Sequence, residues 1–281
     1  MPFISILIVI VLLDKKRHWI HNVQKDAWFY QLHSVAPQNP LLQFFISIIA
    51  PSVLLLALML LLHNLLWGVA HLVLSIFVLM YALGRGPYIR LFSEYKQAWR
   101  DADQQKLQQV LYALDGRAVA SEDAVDLHIK ARKAFIYQAF TRLFAVLFWF
   151  VVLGPAAAFL YRLVKLANPT KYSLGLEKFM EWPAARLFGL SVALLGNFSN
   201  AIGYCKACIL DTQKTAETVI SEVTLAALDQ DMRWQTSRFV VENNEAEIAE
   251  QAIKEVASIR LLIHRCTIFA VVFTAIVYVL F

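Results

Sequence analysis

The sequence predicts an all-α polytopic membrane protein with about four to six apolar helices and amphipathic cytoplasmic helices. Hydrophobic residues occupy 59% of the 281 positions and charged residues 17%, whereas soluble domains average about 45–50% apolar and about 25% charged residues. The apolar residues lie in long blocks, and the mean hydropathy is +0.56. The polar stretches between the blocks repeat apolar residues at helical spacing, which is typical of amphipathic helices.

The basic residues indicate how the chain is oriented. The formal charge is +5 and the pI about 9.1, but lysine and arginine lie in loops beside apolar blocks rather than on one polar face. That placement is typical of cytoplasmic loops and argues against nucleic acid as a partner. We therefore expect a multi-pass protein, embedded in a lipid bilayer, with regions 14–40, 84–142 and 204–265 in the cytoplasm.

The N-terminal 1–83 reads as a membrane segment followed by a hairpin. Residues 3–13 are apolar but about half as long as a crossing needs, and a basic run follows them, unlike a secretory signal. Spans are predicted at 41–62 and 65–83, and the two residues between them allow only a tight turn. His71, inside the second span, is either a functional group or an ordinary packed imidazole.

Amphipathic helices are predicted on both sides of the central membrane core. Region 84–142 contains an amphipathic stretch that ends near Gly116, and a second one that carries Arg132 and Lys133 towards the next span. Region 204–265 is largely helical by its periodicity, and a last span occupies 266–281. These helices either cover the cytoplasmic end of the bundle or dock a partner protein.

The central core, 143–203, holds two unusual apolar segments. The span predicted at 143–164 contains Gly154-Pro155, and the segment at 181–198 is short and carries Arg186, so it crosses the membrane or re-enters it. Arg142 and Arg162 flank the first of these segments. An arginine there either snorkels to the interface or binds a phosphate, a carboxylate or a lipid headgroup.

Familiar catalytic and metal motifs do not occur in the sequence. GxxxxGK[ST], HExxH and GxSxG are absent, so a phosphate loop, a zinc protease and a hydrolase elbow lack support. Cys205 and Cys208 form a CxxC without a second pair at metal spacing, and with Cys266 they cannot build a disulfide framework. We predict packing roles for these thiols, and neither a metal nor a cofactor.

One stretch resembles a known superfamily. The run "LFWFVVLGPAAAFLYR" (147–162), followed by "EWPAARLFGL" (181–190), resembles the core signature of the CbiB/CobD family of cobalamin biosynthesis. Within that superfamily the organisation of residues 1–200 is most similar to the AmpE family, inner-membrane proteins associated with β-lactamase induction. The residues that carry the motif are Phe148, Trp149, Gly154, Pro155, Tyr161, Pro183, Ala185 and Leu187.

The sequence departs from the synthases of that superfamily at their acidic positions. "DGRAV" (115–119) keeps Gly116 and Arg117 but lacks the acid and hydroxyl that follow them in the synthases, and "YQAFTR" (137–142) lacks their carboxylates. A nucleotide-using ligase needs acids to hold magnesium against phosphates. The resemblance therefore implies that this chain keeps the shape of the synthases' membrane core but does not catalyse their reaction. It also adds Arg117 to Arg142, Arg162 and Arg186 as candidate anion-binding residues.

Three functions remain open at this point. The first is a non-catalytic regulator of the bacterial inner membrane, linked to β-lactamase induction and cell-wall recycling, that docks a protein partner through 84–142 and 204–262. The second is an amide-forming synthase with relocated acids, and the third is a binder or transporter of lipids or small molecules with an arginine-lined cavity that Gly154-Pro155 helps to shape. The candidate relocated acids are Glu94, Asp101, Asp103 and Asp115.

Overall fold

A computed structural model describes most of the chain as α-helix. The described residues are 5–6, 8–9, 26–37, 39–62, 68–83, 86–116, 123–209, 211, 213–228 and 245–280, and none of them forms a strand. The predicted all-α class is therefore confirmed. Of the N-terminal segment predicted at 3–13, residues 5, 6, 8 and 9 are described and helical, and the remainder lies outside the described residues.

The chain divides into two compact units. Unit 1 comprises Met1–Gly84, Arg142–Ala184 and Val271–Phe281, and unit 2 comprises Arg85–Thr141 and Ala185–Ala270. Among the described residues, three helices are long and apolar enough to cross a membrane: Pro40–Leu62, Ala124–Leu153 and Ala246–Ile276. A shorter apolar helix covers Val69–Ala82.

After the helical residues 5, 6, 8 and 9, unit 1 continues with three described helices. Helix α1 is Ala27–Val35, α2 is Pro40–Leu62 and α3 is Val69–Ala82. Helix α2 matches the span predicted at 41–62, and it begins where the side chain of Asn39 accepts a hydrogen bond from the Leu41 backbone N–H at 3.0 Å. Helix α3 is shorter than the predicted 65–83, of which residues 65–67 lie outside the described residues.

The span predicted at 143–164 is wrong in both its limits and its continuity. Helix α4 is Gly86–Arg100, α5 is Gln104–Asp115, and α6 runs without a break over Ala124–Leu153. Helix α6 ends at Gly154, which has φ 87° and ψ −175°, and α7 begins at once with Pro155 and extends over Pro155–Leu166. Helix α7 packs back against the last turns of α6. The Gly-Pro pair therefore reverses the chain instead of kinking one helix.

The amphipathic helices of unit 2 follow their predicted pattern. Helix α5 begins where Asp103 Oδ1 accepts from the Lys106 N–H at 3.0 Å and ends at Gly116, whose φ of 73° suits a glycine. Its apolar stripe is buried, as the spacing predicted, and consists of Leu107, Val110, Leu111 and Leu114.

Four further helices lie in the described ranges after residue 170. Helix α8 is Lys171–Leu195 with Pro183 inside it, α9 is Phe198–Ile209, α10 is Ala216–Ala227 and α11 is Glu245–Leu280. The span predicted at 266–281 thus forms the last part of a 36-residue helix that begins in the polar region. Sequence reasoning separated the two parts because charged residues are frequent up to residue 265 and do not occur in 266–281.

Candidate functional site

The two halves of the resembling motif meet in unit 1. The indole Nε1 of Trp149 donates to the backbone carbonyl of Met180 at 3.1 Å, and the Tyr161 hydroxyl donates to Glu181 Oε1 at 3.2 Å. Trp149, Tyr161 and Glu181 are all buried. Segments 147–162 and 181–190, which the sequence could only place in order, are therefore joined by hydrogen bonds at this point.

A lysine lies at the centre of this junction. Lys165 Nζ donates to Glu177 Oε1 at 2.6 Å and to Glu181 Oε1 at 3.1 Å. The Lys165 side chain is 21% exposed, and the two glutamates are 22% and 7% exposed. The carboxylates that converge beside α7 thus neutralise an ammonium group, and no cluster of three or more His, Cys, Asp or Glu side chains in the described ranges could hold a metal ion.

Arg162, one turn of α7 before Lys165, is held by an acid from the N-terminal part of the chain. Its Nη2 donates to Asp26 Oδ2 at 2.8 Å, and the Tyr81 hydroxyl donates to Asp26 Oδ1 at 2.9 Å. The rings of Trp28 and Phe159 stack next to this group with centroids 6.0 Å apart. Arg162 therefore ties α7 to the start of α1, a role that the sequence did not indicate.

The other predicted arginines have different surroundings. Arg186, which is 8% exposed, donates through Nη2 to the backbone carbonyl of Asp211 at 2.7 Å. Arg142 lies half-buried in a π-helical turn, Phe140–Phe144, within α6. Arg117 lies outside the described residues. The binding of an anion by these arginines therefore stays a prediction.

The remaining motif residues divide into buried and exposed positions. Ala185 is fully buried and Phe148 and Pro183 are half-buried, whereas Leu187 is 47% exposed. Gly154 has the φ and ψ of a region that is essentially restricted to glycine. Pro155 has the position where proline is best tolerated, the first residue of a helix.

Unit 2 contains a buried network that sequence reasoning missed. It consists of Tyr95 on α4, His128 and Arg132 on α6, and Glu255 on α11, and none of the four side chains is more than 1% exposed. His128 Nε2 lies 2.8 Å from Glu255 Oε2, and Arg132 Nη1 lies 2.9 Å from Glu255 Oε1. Tyr95 Oη lies 2.5 Å from His128 Nδ1.

The proton positions in this buried network follow from its donors and acceptors. Because a carboxylate only accepts, Nε2–H of His128 donates to Glu255. Burial raises the pKa of Tyr95 above its usual value, so the phenol keeps its proton and donates to Nδ1 of a neutral imidazole. Arg132 and Glu255 then form a charge-neutral pair, the arrangement that a dry interior tolerates best.

The network joins residues that are far apart in sequence. Arg132 and Glu255 are separated by 123 positions, and His128 and Glu255 by 127. The spacing of His128 and Arg132, four residues apart, does place them on one face of a helix. No local pattern, however, indicates which acid meets them.

The cysteine pair lies next to another ion pair of unit 2. Lys214 Nζ donates to Glu222 Oε2 at 2.7 Å and lies 3.6 Å from Cys208 Sγ. Burial raises the pKa of both Cys205 and Cys208, and the hydrogen bond that Lys214 donates to Glu222 raises the pKa of Lys214. A thiol with a raised pKa is a poor nucleophile and a poor metal ligand at neutral pH.

Together these features define a helical membrane protein whose polar groups are largely paired with one another. The comparison with protein families identifies which kind: a family described as "Regulatory signalling modulator protein AmpE" matches residues 1–272. The chain belongs to the AmpE family and is a regulatory membrane protein. No curated protein and no solved structure matches it.

Proposed function

We propose that this protein is a non-catalytic regulator of the bacterial inner membrane that modulates β-lactamase induction and cell-wall recycling. The observation that carries the proposal is the family match, which extends over residues 1–272 and so includes both units. The link to β-lactamase rests on what members of that family are associated with.

The acids of the rival synthase hypothesis have ordinary structural roles. Glu94 Oε1 lies 3.2 Å from Arg90 Nε on the exposed face of α4, and Asp101 Oδ2 lies 3.3 Å from Lys106 Nζ. Asp103 caps α5. Asp115 is exposed at the end of the same helix. Acids that bind magnesium and nucleotide need free oxygens that converge on one point, and this arrangement supports a protein without the synthase reaction.

A partner would meet the protein on the polar helices of unit 2. Tyr112 of α5 is 58% exposed although the apolar stripe of the same helix is buried. Aromatic residues are enriched at protein interfaces because they contribute a large contact area with few rotatable bonds. We therefore infer that the outer face of α5 contacts a regulatory partner.

The test compares cells that contain an inducible β-lactamase, with and without this protein. We expect deletion to change the ratio of induced to basal β-lactamase activity and the wild-type gene to restore it. An unchanged ratio would contradict the link to β-lactamase. Magnesium-dependent nucleotide turnover by the purified protein would instead support the synthase hypothesis.

Photo-crosslinking tests the docking surface separately. A photoreactive amino acid at position 112 should yield a protein–protein adduct in native membranes, whereas one at position 54 should not, because Leu54 is 72% exposed on the apolar surface of α2. If neither position yields an adduct in cells where induction depends on the protein, the partner does not contact the outer face of α5.

A further inference from the structure

Helix α8 carries an apolar stripe that is well exposed in the described part of the chain. Its side chains recur every three to five residues along one side of the helix. They are large and well exposed: Phe179 at 71%, Trp182 at 40%, Leu187 at 47%, Leu190 at 37% and Leu194 at 52%. Contiguous apolar surface of this kind marks a site of contact with a protein or a membrane.

The opposite side of α8 is already occupied. Met180, Ala184, Phe188 and Val192 are at most 3% exposed. A helix that lies flat on a membrane surface presents its polar face to water, but the face of α8 opposite the stripe is buried within the protein. The stripe is therefore not the apolar side of an ordinary interfacial helix.

The charges of α8 explain why its composition does not suggest a membrane span. Between residues 179 and 195 the ionisable residues are Glu181 and Arg186. Glu181 is buried and accepts from Tyr161 and Lys165, and Arg186 is buried and donates to the Asp211 carbonyl. Ionisable groups within a bilayer face the protein interior and find partners there.

The length of the apolar stretch suits a bilayer. Residues 179–195 rise about 25 Å at 1.5 Å per residue, near the lower limit for a crossing. The stretch is flanked by Lys178, which is exposed and long enough to snorkel, and by the exposed Asn197. Polar residues thus lie at both ends of an apolar surface of the required height.

We propose that α8 is a fourth membrane-crossing helix and that its stripe contacts lipid acyl chains. The exposure of the stripe, the inward-facing charges and the length of the segment together support a bilayer as its environment. This inference does not depend on the regulatory role. It requires residues 171 and 199 to lie on opposite sides of the membrane.

Thiol labelling tests the crossing. Lys171→Cys and Ser199→Cys change exposed residues beyond the two ends of the stripe, and wild type serves as the blank because Cys205, Cys208 and Cys266 are buried. A membrane-impermeant maleimide should label one variant in right-side-out vesicles and the other in inside-out vesicles. Labelling of both variants from the same side would overturn the proposal.

A nitroxide label tests what contacts the stripe. At Leu187→Cys and Leu190→Cys in lipid vesicles, we expect collision with oxygen to exceed collision with a water-soluble nickel complex. The reverse is expected at Tyr112→Cys, which lies on a polar helix and so serves as the control. A nickel-accessible stripe would contradict lipid contact, and so would an oxidised Leu187→Cys dimer, because a second copy would then cover the stripe.

Discussion

The Arg132–Glu255 ion pair of unit 2 and the Arg162–Asp26 ion pair of unit 1 have nearly the same nitrogen–oxygen distance, 2.9 Å and 2.8 Å. They differ in their access to solvent. Both partners of the first pair are 1% exposed, whereas those of the second are 16% and 18% exposed. Because an unpaired charge is far more costly in a dry interior than near water, similar geometry carries very different energetic consequences in the two units.

The comparison also shows where each unit is vulnerable. In unit 2, stability depends on the buried network of charged and polar side chains, because removal of one charged partner leaves the other buried and unpaired. In unit 1, the sharpest constraint is in the backbone, at Gly154, where α6 ends and α7 turns back. Loss of an ion pair in unit 1 still leaves water within reach of the remaining partner.

The largest effect is expected for Glu255→Ala. Arg132 would be left buried without its carboxylate, which costs about 3–5 kcal/mol in the free energy of unfolding. Denaturant titration in detergent micelles measures this loss. The matched control is Glu250→Ala on the same helix, since Glu250 is 67% exposed and forms a solvent-exposed pair with Lys254; no measurable change is expected there. Equal losses of stability in the two variants would show that burial does not determine the cost of losing one partner of an ion pair.

The second effect concerns the backbone of unit 1. Gly154→Ala should lower the free energy of unfolding by about 1–3 kcal/mol, because φ 87° with ψ −175° is a conformation that L-residues avoid. Contacts with other parts of the described structure do not contribute, since beyond the neighbouring residues no described atom lies within 4 Å of the added Cβ. Gly175→Ala is the control: the space around it is equally open, but the residue is helical, so alanine should be neutral or stabilising by up to about 1 kcal/mol.

Arg162→Met should have a smaller effect, about 1–2 kcal/mol. The substitution removes the hydrogen bond to Asp26, but Asp26 is partly exposed and keeps the hydrogen bond from Tyr81. The same denaturant titration measures the change. A loss as large as that of Glu255→Ala would mean that solvent access does not distinguish the two ion pairs.

The smallest effect at neutral pH is expected for Tyr95→Phe, about 1 kcal/mol for one hydrogen bond. Burial raises the pKa of Tyr95 in the folded protein. The stability that this phenol contributes is therefore complete below its unfolded pKa of about 10 and is lost as the pH rises above it. The stability advantage of wild type over Tyr95→Phe should shrink above about pH 9 and reverse in sign by about pH 12, because each pH unit between the unfolded and the folded pKa costs wild type about 1.4 kcal/mol. A difference that does not change with pH would show that the phenol is not buried.

Local patterns predicted the parts of the fold that depend on nearby residues. The apolar block of α2 predicted a membrane span. Helix α5 was predicted by the spacing of Leu107, Val110 and Leu111, and its end by Gly116. Each of these features is decided within a few turns of helix. The resemblance to the AmpE family, which the organisation of residues 1–200 carried, is confirmed, whereas the CbiB/CobD resemblance of the two short segments stays a prediction.

Features that depend on distant residues could not be predicted. Gly154-Pro155 predicts a break in the helix, but the reversal of the chain there depends on the packing of α7 against α6. The acid that neutralises Arg132 lies 123 positions away. The sequence also gave no reason to connect Arg162 with Asp26, since an interfacial arginine that snorkels and one that forms an ion pair have the same local pattern.

Two double-mutant cycles test the central claim, that burial rather than geometry sets the strength of these ion pairs. One cycle uses Arg132→Ala and Glu255→Ala, and the other uses Arg162→Ala and Asp26→Ala, with free energies of unfolding measured under identical conditions. We predict a coupling of about 2–3 kcal/mol for the first pair and about 1 kcal/mol or less for the second. Equal couplings would contradict the claim.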